Sequence, residues 1–135
     1  MELRGAVVVV TGAGRGIGAA TARALAARGA QVVVTGLDEA ELAATAASIG
    51  AVPIVADVRD PAHAERVLAA TAARFGPVDV VVANAGIGYA GAFAEMPAER
   101  IDDVIAVNVL GPMLLARSAV PAMLQRHRGA LVFVS

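Results

Sequence analysis

Ala6-Val7-Val8-Val9-Val10-Thr11-Gly12-Ala13-Gly14-Arg15-Gly16-Ile17-Gly18 runs from a β-branched apolar stretch into a cluster of glycines, and an alanine-rich stretch, Ala19 to Arg28, follows it. The first part reads as a strand over Val7–Thr11 and the last as a helix over Ile17–Arg28, with Gly29 as its C-cap. A strand that turns through glycines into a helix N-terminus is a phosphate-binding device. Glycine lets the backbone approach an anion, and the unpaired N–H groups and the helix dipole favour negative charge there. The spacing is T-G-x-x-x-G-x-G, carried by Thr11, Gly12, Gly16 and Gly18, rather than the more familiar G-x-G-x-x-G. A turn whose glycines only permit tight strand-to-helix packing is the alternative. A P-loop is excluded because no Gly-Lys-Ser/Thr follows. A methyltransferase-type loop is disfavoured because Val10 and Thr11, not an acid, precede Gly12.

Outward from this stretch the chain alternates strand and helix. Gln31–Thr35 reads as the second strand and Glu39–Ser48 as the second helix, ended by Gly50. Val52–Ala56 is the third strand and Pro61–Phe75 the third helix, with Asp60 as N-cap and Pro61 at the first helical position. Val78–Ala83 is the fourth strand. Pro97–Val107 and Gly111–Arg126 read as one or two helices, and Ala130–Val134 as a fifth strand. Runs such as Val32-Val33-Val34 and Val80-Val81-Val82 suit parallel strands covered on both faces. The expected fold is therefore α/β, a Rossmann-type doubly wound parallel sheet with right-handed crossovers.

Composition narrows the function. The 135 residues are 58% hydrophobic but only 3% aromatic, enough aliphatic material for one domain with a sizeable core. The formal net charge of −1 disfavours nucleic acid or an anionic membrane as the main partner. With no cysteine, there is no disulfide, thiol chemistry or Cys-ligated metal, which is compatible with a cytoplasmic setting. His63 has no partner at metal-ligand spacing, so no metal is expected. Glu2 sits where a signal peptide would carry positive charge, and no uninterrupted apolar stretch approaches a membrane span. Arg117, Arg126, His127 and Arg128 read as a solvated helix end, and Met113, Leu114 and Leu115 as core or subunit contacts.

In a doubly wound sheet ligands bind at the carboxyl ends of the strands. Here the first four strands end in Thr11-Gly12, Gly36-Leu37-Asp38, Asp57-Val58 and Asn84-Ala85-Gly86, all polar, acidic or glycine-rich. Together with Thr11–Gly18, Ala83-Asn84-Ala85-Gly86 and Asn108 within Val107-Asn108-Val109, these endings resemble the short-chain dehydrogenase/reductase family. The similarity extends over essentially the whole chain, and the three-oxoacyl-carrier-protein reductase-like members look nearest.

That resemblance implies a dinucleotide site. Thr11, Gly12, Ala13, Gly14, Arg15, Gly16, Ile17 and Gly18 would carry the pyrophosphate. Asp57 would accept from the adenine amino group beside the Val58 backbone, although a turn-forming role before the third helix serves Asp57 as well. Asn84, Ala85 and Gly86 would admit the ribose, with Ala83 replacing the first Asn of the family's Asn-Asn-Ala-Gly. Asn108 would be the helix-kinking asparagine of the catalytic proton relay; a helix boundary helped by Gly111-Pro112 is the alternative. At the end of the second strand the cofactor-selecting acid is replaced by Gly36, and Leu37 stands where NADP-preferring members often carry arginine. Asp38 is compatible with either cofactor. Arg15 is within reach of a 2′-phosphate, so NADP(H) is favoured over NAD(H).

The family's reaction also needs a tyrosine whose pKa a lysine lowers, because an ordinary phenol is a poor base at neutral pH. This chain has no lysine, and Tyr89, its one tyrosine, is outside any Tyr-x-x-x-Lys context, although it follows Gly86 closely enough to line the cleft. Counted from Asn108, Ser135 is either the family serine or the residue before it. The expectation is the N-terminal, cofactor-binding portion, about five strands, of a larger single domain. Its parent would be an NAD(P)-dependent oxidoreductase acting on a small-molecule carbonyl or alcohol, a homodimer or homotetramer by analogy. The alternative is a non-catalytic dinucleotide-binding or sensor module.

Overall fold

The computed structural model describes residues 2–135. Five parallel strands form one sheet in the order β3-β2-β1-β4-β5, with β1 at Val7–Thr11, β2 at Gln31–Gly36, β3 at Val52–Val55, β4 at Val80–Ala83 and β5 at Ala130–Phe133. Val9 is opposite Val33 on one side and Val81 on the other, and Val81 is opposite Leu131. The chain leaves β1 in one direction along the sheet and returns to the other side of β1 at β4. That reversal is the topological switch point, where two adjacent connections diverge and leave a crevice.

Side-chain alternation on the central strands builds two cores. Val8 and Val10 pack with Val32, Val34, Val80 and Val82 under α1 (Gly16–Ala26) and α2 (Glu39–Ile49), closed by Ala22, Leu42 and Ala46. Val7 and Val9 face the other way, with Val33 and Val81, under α3 (His63–Phe75) and α5 (Gly111–Gln125), where Val67, Leu115, Ala119 and Met123 close the layer. Both faces of β1 are covered, which is why its five residues read as a continuous apolar run. Leu115 is core as expected, whereas Met113 is exposed.

The expected boundaries hold to within a residue or two, and the differences have local causes. α1 stops at Ala26, and Arg28 lies in the turn before Gly29, whose φ of 84° takes the left-handed conformation. α3 begins at His63 rather than Pro61. Asp60 is therefore not the N-cap, a position taken by Ala62 without a side-chain cap; its Oδ1 instead accepts from Ala62 N–H at 2.9 Å in the turn before the helix, and the His63 ring is buried with Nδ1 2.9 Å from the Asp60 carbonyl.

Pro97–Val107 and Gly111–Arg126 form neither two helices nor one regular helix. α4 (Ala98–Ile105) continues through a π-helical turn, Ala106–Leu110, into α5. The helix boundary helped by Gly111-Pro112, the alternative reading of Asn108, is absent: Pro112 follows directly after the π-helical turn, in the first turn of α5, where the wider preceding turn accommodates a residue without an N–H. The joined helix, Ala98–Gln125, spans 28 residues and is long and apolar enough to cross a membrane by length and composition, although charged residues interrupt its apolar runs. One face of it, through Leu115, Ala119 and Met123, belongs to the second core.

A second correction concerns the helix end. Arg126 and Arg128 are not simply solvated: both pair with Asp79, a buried carboxylate just before β4. Arg126 Nη1 is 2.7 Å from Asp79 Oδ1, Arg126 Nη2 donates to the Val78 carbonyl at 2.6 Å, and Val7 N–H donates to Asp79 Oδ2 at 3.1 Å. His127 takes a left-handed φ of 49°, and Arg128 N–H reaches back to the Met123 carbonyl at 3.0 Å. This Schellman-type closure aims both arginines at the N-terminal edge of the sheet.

Candidate functional site

The four strand ends singled out by the sequence converge on a cleft of about 490 Å³, within the range of small-ligand sites. Gly12, Gly14 and Arg15 form its floor on the β1 side. Leu37 comes from the end of β2, Asp57 and Val58 from the end of β3, and Asn84, Ala85 and Gly86 from the end of β4. The remaining loop residues do not line the cleft: Thr11, Ala13 and Gly18 are buried, and Gly16 and Ile17 are exposed outside its lining. Asn108 borders a neighbouring cavity of about 450 Å³, with Gly86, Ile87, Pro112, Phe133 and Ser135. Tyr89 lines neither cavity; its ring edge lies over Gly91.

The loop is held by β4. Thr11 Oγ1 accepts from Asn84 N–H and Ala85 N–H, each at 3.0 Å, and Asn84 Nδ2 donates back to the carbonyls of Thr11 at 3.0 Å and Gly12 at 3.1 Å. Gly12 is obligatory on two counts: its φ is +62°, and a Cβ there would sit 2.7 Å from Ala85 Cα. Replacing Thr11 by the near-isosteric valine strands two backbone N–H donors. Thr11→Val is expected to cost about 2 kcal/mol in chemical denaturation and to speed hydrogen exchange selectively at Asn84 and Ala85.

α2 and β2 hold the loop from the other side. Thr45 Oγ1 donates to the Gly14 carbonyl at 3.0 Å, and Ala13 N–H donates to the Thr35 carbonyl at 3.0 Å. α1 starts at Gly16 with no side-chain cap and no acidic residue in its first turn, so its leading N–H groups have no intrahelical partner. The space beside Gly16 is open, with nothing within 4 Å of a Cβ built there. Open space, unpaired N–H groups and the positive end of the helix dipole together fit an anion.

Asp57 is more constrained than its sequence reading implied. Its Oδ1 accepts from Arg59 N–H at 2.9 Å, the turn-forming bond, and Arg59 Nη2 lies 2.7 Å from Oδ2. The Arg59 guanidinium holds the Asp57 carboxyl below the usual carboxylate range, and Asp57 in turn raises Arg59. Arg59 also reaches Asp103 on α4 at 3.2 Å, and Arg100 donates to the Gly88 carbonyl at 2.8 Å. These three charged residues border the cleft and were missed by sequence reasoning. Arg59 follows Asp57-Val58 directly, but Arg100 and Asp103 carry no local signal.

Asn108 occupies the middle of the π-helical turn. Its Oδ1 accepts from Ile87 N–H and its Nδ2 donates to the Ile87 carbonyl, both at 2.9 Å, so it pins the segment leaving β4. Gly111 lets the same helix approach the β3 end, since a Cβ there would lie 3.0 Å from Val58 Cβ.

A doubly wound sheet with a glycine turn at its switch point and an anion-compatible helix start defines a nucleotide-binding class of α/β protein. The chain belongs to the short chain dehydrogenase family, whose model matches residues 6–135. It is 37% identical over 136 residues to the 3-oxoacyl-acyl-carrier-protein reductase FabG of Escherichia coli, covering 99% of this chain and 56% of the relative. It is 41% identical over 140 residues to versicolorin reductase 1 of Aspergillus parasiticus, covering 53% of that protein. The chain thus spans about half the length of these curated relatives. A metagenomic short-chain oxidoreductase solved in complex with NADP superposes on all of this chain with a TM-score of 0.93 and 38% identity, the match covering 64% of that structure.

Proposed function

We propose that this chain is the dinucleotide-binding part of an NAD(P)-dependent oxidoreductase that interconverts a small-molecule carbonyl and an alcohol. The observation that carries this reading is the convergence of the T-G-x-x-x-G-x-G loop with three other strand ends on one cleft. Gly12, Gly14, Arg15, Gly16 and Ile17 would face the pyrophosphate with backbone N–H groups, and Thr11, Ala13 and Gly18 would shape the loop from beneath and behind. Asp57 and Val58 would meet the adenine, Arg59 sharing the Asp57 carboxylate, and Leu37 would border the adenosine ribose. Asn84, Ala85 and Gly86 would face the nicotinamide half. The nicotinamide, when bound, supplies the hydride chemistry. Asn108 would orient the Ile87 backbone for a proton path. A tyrosine base with its lysine is not among the 135 residues, since the sequence has no lysine and Tyr89 lies off the cleft. The domain is then the cofactor-binding portion of a longer catalytic unit.

NADP(H) is favoured over NAD(H) because Arg15 is a cation at the ribose end of the cleft. The NADP carried by the metagenomic neighbour supports a nicotinamide dinucleotide. Ile101, Ile105, Val109 and Met113 are exposed along one helix, an apolar face that supports a homodimer or homotetramer of the full protein. A cytoplasmic setting is part of the same reading, since nothing in the cysteine-free chain calls for an oxidising compartment.

Calorimetric titration with NADPH and NADH tests the proposal without relying on tryptophan, which the chain lacks. Saturable binding of at least one is expected, and heat from neither would overturn the reading. Arg15→Ala is expected to weaken NADPH about tenfold while leaving NADH within about twofold, as loss of one exposed phosphate contact predicts.

A further inference from the structure

The first turn of α2 carries a carboxylate aimed at the glycine loop. Asp38 caps the helix, its Oδ1 accepting from Glu41 N–H at 2.9 Å. The sequence Asp38-Glu39-Ala40-Glu41 has capping-box spacing, yet the Glu41 side chain turns away from the cap toward the loop. Glu41 Oε2 is 3.9 Å from Arg15 Nε. A Cβ built on Gly14 would lie 3.0 Å from Glu41 Cβ and 3.1 Å from Glu41 Oε2, so the carboxylate rests directly against the loop. Thr45, one turn further along α2, fixes that relation through its bond to the Gly14 carbonyl.

Arg15, Leu37, Asp38 and Glu41 all line the cleft. The two other cleft-lining arginines are engaged elsewhere, Arg59 with Asp57 and Asp103, and Arg100 with Gly88 and Asp103. Arg15 is therefore the cleft-lining arginine that faces Glu41. A 2′-phosphate would arrive with a charge near −2. It would have to draw Arg15 from Glu41 and lie beside an uncompensated carboxylate. A 2′-hydroxyl can instead donate to a carboxylate oxygen.

We infer that Glu41 is a specificity-determining residue that holds Arg15 back from a 2′-phosphate and narrows the preference between the phosphorylated and unphosphorylated dinucleotide. This rests on the proposed dinucleotide site. The pair is exposed, so its effect belongs to discrimination between ligands rather than to stability.

The test is calorimetric titration of the 135-residue chain with NADPH and with NADH, for the native protein, Glu41→Gln, Glu41→Ser, and Glu41→Gln combined with Arg15→Ala. Both single variants are expected to raise the NADH-to-NADPH Kd ratio about fivefold to tenfold, chiefly by tightening NADPH. The double variant is expected to lose most of that gain, because the freed arginine delivers it. If both nucleotides bind but the ratio in both single variants stays within about twofold of native, Glu41 does not set specificity and the inference fails while the site stands. If the ratio rises equally without Arg15, the carboxylate acts by repulsion alone and the holding role is overturned. If the native protein and all variants bind neither nucleotide, the dinucleotide reading itself falls, and the inference with it.

Discussion

Gly18→Ala is expected to destabilise the protein by about 3 kcal/mol and to abolish measurable nucleotide binding, the largest effect of any single methyl addition to the loop. Gly18 is buried at the start of α1, and a Cβ there would meet the Gly12 carbonyl oxygen, with the Gly12 carbonyl carbon at 2.9 Å and Asn84 Nδ2 at 2.5 Å. None of these can give way cheaply. The Gly12 carbonyl is loop backbone, and Asn84 Nδ2 is already bonded to the Thr11 and Gly12 carbonyls. Relief would require lifting α1 off the sheet, which exposes Ala19 and Ala22, now 2% and 0% accessible. A loss of that size is a large part of a typical domain stability. Urea denaturation of the variant gives the stability loss, and calorimetry with NADPH gives the binding. Gly88→Ala is the control: a Cβ there meets nothing within 4 Å, and a change of no more than about 0.5 kcal/mol is expected. A Gly18→Ala protein with a native urea midpoint would show that α1 adjusts freely against the loop.

Asp79→Ala carries the second large effect, far from the cleft. Asp79 is 5% accessible and gathers Arg126, Arg128 and the Val7 N–H. Truncation leaves the Val7 donor without its acceptor and two guanidinium groups without their counter-ion, a loss of about 3 kcal/mol. Asp79→Asn retains an acceptor for Val7 and is expected to lose about half as much. Acid dependence supplies an independent check. Burial, the largest influence, pushes the Asp79 carboxyl up, but Arg126, the Val7 N–H and Arg128 together outweigh it and leave it depressed. A carboxyl depressed in the folded state adds stability that is complete above its unfolded pKa of about 3.9 and is lost as pH falls through the lower folded value. Asp57 and Asp60 are depressed as well, by their bonds to Arg59 and to the Ala62 N–H, and act in the same direction. Urea midpoints of the native protein and Asp79→Asn should therefore converge as pH is lowered below about 4. A gap that persists unchanged into acid would mean that charge at Asp79 contributes nothing.

Much of this molecule was legible in one dimension because the signals are local. Val7–Thr11 is apolar at every position, as a central parallel strand buried on both faces must be, and the glycines that follow mark the place where backbone meets backbone. The strand ends were legible because the switch-point rule converts chain order into a place on the sheet. Asn108 was visible as a misfit, a polar residue between valines within a helix. Its two-pronged hold on Ile87 was not, since the partner lies 21 residues away.

Other features had no local signature. Asp79 in Val78-Asp79-Val80 could have been noticed as an acid inside an apolar run, but only the closure of β1, β4 and the end of α5 brings Arg126 and Arg128 to it. Those arginines read as solvent-facing because charge at a helix end ordinarily is. The helix boundary at Gly111-Pro112, the alternative reading of Asn108, is absent for a related reason: the wider π-helical turn leaves room for a residue without an N–H, and packing against Val58 and the second core stabilises the continuous helix. Glu41 drew no sequence signal of its own, and only the docking of α2 on the glycine loop brings it to Arg15.

The sequence by itself determined the order of strands and helices, the apolar faces that turn them into one doubly wound sheet, and the glycine loop that joins β1 to α1 at the switch point of that sheet. All three follow from contacts between residues close in the chain, where spacing and side-chain type are sufficient. Only the tertiary structure decided which charges meet: Asp79 with Arg126 and Arg128, Asp57 and Asp103 through Arg59, and Glu41 with Arg15. Charge pairing depends on distances of a few ångströms between elements packed from opposite ends of the chain. A charged side chain carries no periodic signature that names its partner.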